Sequence, residues 1–179
     1  GVAAISIVLY AQFRLTALYL GFSMGVAPLI SFAYGAENRR RLRRLFSRCM
    51  VFLLAGSVGI FALALALAGG IVGLFSPAGS AVNALALEGF RLFSPTFLFA
   101  GVNIFASAFF TALSDGRTSA IVSFARTFGF LTAGLLLLPR LMGVAGVWLA
   151  VPAAEALCLG LSLFFLWRYR GVYGAGGPC

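Results

Sequence analysis

Five apolar stretches, each at least as long as the roughly 20 residues a helix needs to cross a bilayer core, constrain this sequence most. We place them at about residues 2–34, 45–75, 81–113, 119–138 and 144–169. Apolar residues make up 62% of the chain and charged residues only 9%, whereas about a quarter of a soluble domain is charged. The stretches are continuous and do not alternate at every second residue, so they do not resemble the strands of a membrane barrel. The sequence therefore predicts an all-α, polytopic transmembrane bundle of about five spans over residues 1–170, followed by a flexible tail over residues 171–179.

Turn-forming residues separate these stretches at about residues 35–38, 76–80 and 114–116. Pro139 and Gly143 are expected to separate the fourth stretch from the fifth. Pro28 and Pro95 lie inside the two longest stretches and remove backbone donors, so we expect a kink at each. Such kinks either serve a cavity that changes during transport or simply allow helices to pack.

The basic residues, all of them arginines, predict the orientation in the membrane. Six lie within residues 39–48, one is Arg117 and two lie at positions 168 and 170, whereas the opposite side has Arg140, and Arg91 if it is counted. The positive-inside rule then makes residues 39–48 and the carboxy end cytoplasmic, and residues 76–80 and the amino end external. Between two spans, such a run is typical of a topology signal, with anionic lipid as the alternative ligand and no nucleic-acid partner.

The chain starts with Gly1 inside an apolar stretch, and no signal sequence precedes the amino end that this topology makes external. We therefore expect it to be part of a longer multi-pass protein of the inner or plasma membrane. His is absent, which excludes His-based catalysis and His-ligated metals. Cys49, Cys158 and Cys179 have no metal-binding spacing, and four acidic residues leave little material for a membrane enzyme. We expect neither enzymatic activity nor a bound metal.

Ionisable side chains inside membrane spans are costly, and are therefore candidates for a transport pathway. Arg14, with Gln12 close by, Arg126 and Glu155 satisfy this criterion. Glu155 is either a structural partner of Arg126 or Arg14, or a group that binds a proton, a cation or the substrate.

Weaker polar and small residues form two further patterns. Asn103, Ser107 and Thr111 repeat at every fourth position and so share one helix face. This stripe either lines a water-filled cavity or bonds to a neighbouring helix. Gly21 and Gly25 form a GxxxG pair, whose usual meaning is close helix packing.

Three motifs resemble one transporter family. Residues 21–36 read GFSMGVAPLISFAYGA and are followed by Asn38 and the arginines, residues 109–120 read FFTALSDGRTSA, and residues 143–148 read GVAGVW. In this order and spacing they resemble the MATE (multidrug and toxic compound extrusion) family, and most closely its MepA-like branch. The positions that the resemblance marks as structural are Gly21, Gly25, Pro28, Gly35, Ala36, Asp115 and Gly116.

The resemblance implies the last five helices of a twelve-helix transporter, with the lipid bilayer and a missing amino-terminal lobe as partners. It also implies efflux of cationic or amphipathic small molecules by antiport against Na⁺ or H⁺, with no other cofactor. The family's coupling acids lie in the amino-terminal half or in helices seven and ten. Helix seven is absent here and the third stretch has no acid after Glu88, so the resemblance transfers no cation site. Two alternatives remain: a flippase of the same superfamily moving lipid-linked sugars, which Arg14 and Arg126 would suit, and a non-transporting membrane subunit.

Overall fold

Helices form all of the regular structure in residues 2–73 and 80–173, the part of the chain that the computed structural model describes. The order is α1 Val2–Gly35, α2 Arg39–Gly73, α3 Ala81–Phe93, α4 Thr96–Ala112, α5 Gly116–Phe124, a π-helical segment Ala125–Phe130, α6 Leu131–Met142, α7 Val144–Arg168 and α8 Arg170–Tyr173. Four spans are long and apolar enough to cross a membrane, and the bent pair α3–α4 adds a fifth. The prediction of a helical bundle with about five spans is confirmed.

The helix boundaries differ from the predicted ones at α2. This helix begins at Arg39, whereas the sequence suggested a start near residue 45. The Asn38 side chain accepts a hydrogen bond from the Arg41 amide at 2.9 Å and so caps the first turn. Arginine is also a good helix former, which extends the helix through the basic run. The predicted loop is therefore only the turn at residues 36–38.

The three prolines at which we expected a kink or a break have different outcomes. At Pro95 the chain bends by 42° between α3 and α4, which confirms the predicted kink. At Pro28, α1 remains one continuous helix. The prediction that Pro139 separates the last two spans is wrong, because α6 continues through it to Met142. The break lies at Gly143 alone, whose φ of +61° is one that side chains disfavour.

Helix α4 occupies the centre of the bundle and contacts α1, α2, α5 and α7. Phe105, Phe109 and Phe110 are fully buried on it and pack against one another and their neighbours. Across the bundle, the Tyr19 hydroxyl lies 3.1 Å from the Ser57 hydroxyl and donates to the Phe97 carbonyl at 3.2 Å. These contacts join α1, α2 and α4.

Close helix packing occurs at glycines other than the predicted pair. A Cβ at Gly146 would overlap the Leu138 carbonyl group, and one at Gly89 would overlap the Trp148 ring. At Gly21 and Gly25 no described atom lies within 4 Å of an added Cβ. The expectation that this pair packs closely is therefore wrong for the contacts within the described residues.

Some predicted features lie outside the described residues. The external loop at 76–80 is described only at Ser80, and residues 174–179 of the predicted tail, with Cys179, are not described. Residues 171–173 of that tail belong to α8. The predicted lobe and tail boundary at residue 170 stays a prediction.

Candidate functional site

Glu155 lies at the centre of a buried polar cluster. It is only 4% exposed on α7, although a carboxylate inside a membrane span is costly without partners. Its Oε1 accepts a hydrogen bond from Arg126 Nε at 2.8 Å, and its Oε2 accepts one from Asn103 Nδ2 at 2.7 Å. Both carboxylate oxygens are therefore bonded to other helices. Of the two arginine partners that the sequence offered for Glu155, the structure selects Arg126.

Asn103 connects this carboxylate to the rest of α7. Its Nδ2 also donates to the Glu155 backbone carbonyl at 2.9 Å, and its Oδ1 accepts from Ser162 Oγ at 3.0 Å. An amide with two donors and one acceptor oxygen is well matched to this arrangement. Sequence reasoning missed Ser162, although it stands seven residues after Glu155 and so lies on the same face of α7.

Arg126 belongs to the π-helical segment, and its side chain remains 23% exposed. It borders a cavity of about 200 Å³ together with Gln12, Thr16, Thr127 and Glu155. It also borders a larger groove on the other side. The residue that pairs with the buried carboxylate thus borders two cavities.

That groove has a volume of about 660 Å³ and lies between α1 and α4, with α5 and the π-helical segment at its edge. Its walls combine apolar residues such as Met24 and Pro28 with hydroxyl groups of Ser31 and Thr111. The Ser23 hydroxyl also lines it and, within the described residues, is buried without a hydrogen-bond partner. A buried hydroxyl left unpaired is unfavourable.

The polar stripe on α4 bonds to a neighbouring helix, which is one of its two predicted uses; the water-filled cavity stays a prediction. Ser107 Oγ lies 2.9 Å from Ser119 Oγ and 2.7 Å from Ser123 Oγ, and Thr111 Oγ1 donates to Ser119 Oγ at 2.7 Å. The stripe therefore joins α4 to α5. Ser107 and Thr111 also line the groove, whereas Asn103 turns away from it towards α7.

Gln12 and Arg14 are separated by the structure. Gln12 is half-buried beside the small cavity that Arg126 and Glu155 border. Arg14 is exposed and makes no salt bridge with any described residue. Only Gln12 of this pair is near the polar cluster, and the roles of both residues in transport stay predictions.

Asp115, at the second motif, caps α5. Its carboxylate accepts from the Thr118 amide at 3.1 Å and from the Thr118 hydroxyl at 2.6 Å. These two hydrogen bonds, aided by Tyr169 and the charge of Arg117, lower the pKa of Asp115 below its usual value against a small opposing effect of burial. Gly116 is the first residue of the capped helix. The motif thus has a local structural function.

The last two motif positions lie at the end of α1 and the start of the turn that follows it. Gly35 is the last residue of the helix, and the Ala36 amide donates to the Phe32 carbonyl at 3.0 Å. This pattern closes the helix before the short turn into α2.

The fold and the cluster together define a multi-span α-helical membrane protein whose polar side chains are gathered between its helices. The sequence matches the MatE family over residues 1–133, and the chain belongs to that family. Its assignment to the MepA-like branch stays a prediction. Among curated proteins, none matches this sequence.

Two solved structures share the fold. One is a multidrug resistance MATE family transporter of the MOP superfamily in an inward-facing conformation, with 18% identity, a TM-score of 0.79 and coverage of 92% of this chain. The other is the Vibrio cholerae MATE transporter VcmN in its bent form, with 19% identity, a TM-score of 0.79 and coverage of 97% of this chain. This chain spans about 40% of the length of each.

Proposed function

We propose that this chain forms one lobe of a secondary active efflux transporter that exports cationic or amphipathic small molecules in exchange for Na⁺ or H⁺. Membership of the MatE family is the observation that carries the proposal. The similar solved proteins are transporters, and one of them is a multidrug resistance transporter. Their greater length supports a second lobe as the partner of this one. Alternating access needs two bodies that rock against each other.

The groove between α1 and α4 is the surface we assign to the transported molecule. A site for amphipathic compounds needs apolar walls and a few polar groups that orient the ligand. Met24 and Pro28 supply the first, and Ser107 and Thr111, which also line the groove, supply hydroxyl groups. The exposed glycines Gly21 and Gly25, on the same helix, offer a smooth surface for the second lobe.

We assign Glu155 chiefly to holding the helices together. Each of its two oxygens accepts a hydrogen bond from another helix, from Asn103 on α4 and from Arg126 on the π-helical segment, so the carboxylate joins three helices in this conformation. An ion would use the remaining lone pairs of these oxygens or replace one of these hydrogen bonds during the cycle. Transport and stability measurements on the same variant separate the two roles, as set out in the Discussion.

The flippase alternative receives less support from this arrangement. A lipid-linked sugar phosphate would need free positive charge in the cavity, but Arg126 is neutralised by Glu155. Arg14 is exposed and does not border the groove. One of the two arginines that favoured this alternative is therefore already paired.

Transport is tested with the full-length gene product that carries this chain, reconstituted in proteoliposomes with imposed Na⁺ or pH gradients. We expect gradient-dependent movement of a fluorescent cationic dye. Met24→Trp, which fills the groove, should reduce it several-fold, whereas Leu18→Trp, an exposed position on the same helix outside the groove, should not. No gradient-dependent movement in either gradient would reject the proposal, and movement of lipid-linked sugar instead would favour the flippase.

The proposed orientation has residues 39–48 in the cytoplasm and the loop at 76–80 outside, because arginines are concentrated on one side. Single cysteines at Ser47 and Ser76 in a background lacking the native cysteines test it in intact cells. Labelling of position 76 by an impermeant reagent is expected. Labelling of position 47 alone would reverse the orientation.

A further inference from the structure

The first turns of α2 contain a basic groove that the proposed transport function does not use. It has a volume of about 460 Å³. Its lining consists of Asn38, Arg40, Arg41, Arg44, Leu45 and Arg48. Arg39 and Arg43 belong to the same basic run but do not line it. The basic run therefore contains arginines that line the groove and arginines that do not, and the two groups differ only in position.

The guanidinium groups in this groove are not neutralised by the protein. Within residues 2–73 and 80–173, none of the four lining arginines forms a salt bridge. The Arg41 guanidinium lies 5.5 Å from the centre of the Phe32 ring of α1, a cation–π contact that holds it at the groove. The groove therefore offers several unpaired cations, held partly in place, to an anionic ligand.

The depth of the groove matches the phosphate layer of a bilayer. At 1.5 Å per residue the 35 residues of α2 extend over about 50 Å, far longer than a hydrocarbon core of about 30 Å. The apolar part of the helix occupies the core, so the arginine-bearing turns extend into the head-group layer. Arg40, Arg44 and Arg48 recur at every fourth position and form one stripe through that layer.

Below this stripe, the same face of α2 becomes apolar. Phe52 follows Arg48 by four residues and is 59% exposed, and its neighbour Val51 is 64% exposed. The Phe52 ring stacks on Phe22 of α1 with ring centres 4.8 Å apart. A cationic groove directly above an exposed apolar face suits a ligand with an anionic head and an acyl chain. A free phosphate would use only the cationic groove and not the apolar face.

We infer that this groove binds the head group of one anionic phospholipid, with its phosphate among Arg40, Arg44 and Arg48 and an acyl chain along Phe52. Charge complementarity and the continuity of the cationic and apolar surfaces carry this inference. It does not depend on which molecule is transported.

The test uses the full-length gene product in mild detergent, titrated with phosphatidylglycerol or phosphatidylcholine and analysed by native mass spectrometry. The wild type should bind phosphatidylglycerol in preference to phosphatidylcholine. The double variant Arg44→Gln/Arg48→Gln should lose on the order of tenfold in phosphatidylglycerol affinity, since each arginine near an anionic lipid contributes several-fold. The matched control Arg39→Gln/Arg43→Gln removes the same charge from outside the groove and should change affinity by about twofold or less.

Three results would overturn the inference. Equal losses in both double variants would mean a diffuse electrostatic field rather than a site. Absence of any preference for phosphatidylglycerol in the wild type would mean that no anionic lipid is selected. Competition by soluble glycerol phosphate at the same concentration as the lipid would assign the groove to a phosphate ligand without an acyl chain. Equal melting temperatures of the two variants serve as the folding control.

Discussion

The central helix α4 and the peripheral span from Gly116 to Met142 contrast strongly in how they are held. On α4 the large aromatic side chains, among them Phe105 and Phe109, are almost completely buried. In the peripheral span only 6% of an 18-residue apolar stretch is buried by the protein. Lipid solvates the apolar exterior as well as another helix would, so burial need not be shared evenly among the spans. The peripheral span is joined to its neighbours by polar groups, chiefly Arg126, Ser119 and Ser123, and by the close approach of α6 to α7 at Gly146 and Gly134.

The contrast predicts the largest loss of stability for truncation of a central aromatic. Phe109→Ala should lower the free energy of unfolding by about 3 kcal/mol, because the cavity left behind loses its packing contacts. Phe13→Ala, at a site 74% exposed on α1, should have little effect. Chemical unfolding of both variants in the same detergent measures the difference. A large loss for Phe13→Ala in the full-length gene product would show that protein, not lipid, covers that face.

A slightly smaller loss is expected where the peripheral span meets α7. Gly146→Ala should cost about 2–3 kcal/mol, because the new methyl group would overlap the Leu138 backbone and force the helices apart. Gly160→Ala, on the same helix with no atom near an added Cβ, is the matched control and should be neutral or slightly stabilising. Equal melting temperatures for the two variants would mean that the α6–α7 contact is loose.

Removal of the ion pair between Glu155 and Arg126 should have an intermediate effect on stability. Glu155→Gln should cost about 2 kcal/mol, because it leaves the Arg126 charge without its partner; the partial exposure of Arg126 moderates the loss. The double variant Glu155→Gln/Arg126→Gln should recover part of it, and Glu88→Gln, at an exposed site, is the control. Melting temperature and transport are measured on each. A Glu155→Gln protein that melts normally but no longer transports would instead assign Glu155 to the ion or the substrate.

The smallest effect is expected at the start of the peripheral span. Asp115→Ala should cost about 1 kcal/mol at neutral pH through loss of the helix cap. Because the folded-state pKa of Asp115 is lowered, its carboxylate contributes stability above the unfolded pKa, and that stability is lost as pH falls through the folded value. The difference between wild type and variant should therefore shrink below about pH 4. Thermal unfolding at pH 7 and pH 3 measures it, with Ser114→Ala as control; an unchanging difference would contradict this explanation.

The spans were predictable because continuous apolar runs of sufficient length have few other structures available. The bend at Pro95 was predictable for an equally direct reason, since proline removes a helical donor. The pairing of Glu155 with an arginine of another helix followed from the cost of an unpaired charge in hydrocarbon. Each of these features is decided by local chemistry or by the solvent.

Features that depend on which faces meet were not predictable. Gly89 and Gly146 carry the close contacts, while Gly21 and Gly25 form the recognisable motif. Nothing in the local sequence marks which glycine faces a Trp148 ring or a neighbouring carbonyl. Likewise, Pro139 is a sound breaker by composition, but the helix tolerates it within one turn of its end.

The π-helical segment Ala125–Phe130 affects which insertions and deletions this chain can tolerate during evolution. Before it, Ser119 and Ser123 face α4, and after it, Gly134 lies against the Ala150 backbone of α7. Each π turn holds more residues than the α-helical turn it replaces, so the segment sets the angular phase between these two halves. Loss of one residue here would let the segment close as ordinary α-helix with little change in that phase, whereas loss of one residue from α5 or α6 would rotate everything downstream of it by about 100°. Descendants of this sequence should therefore tolerate a one-residue deletion within this segment better than one in α5 or α6.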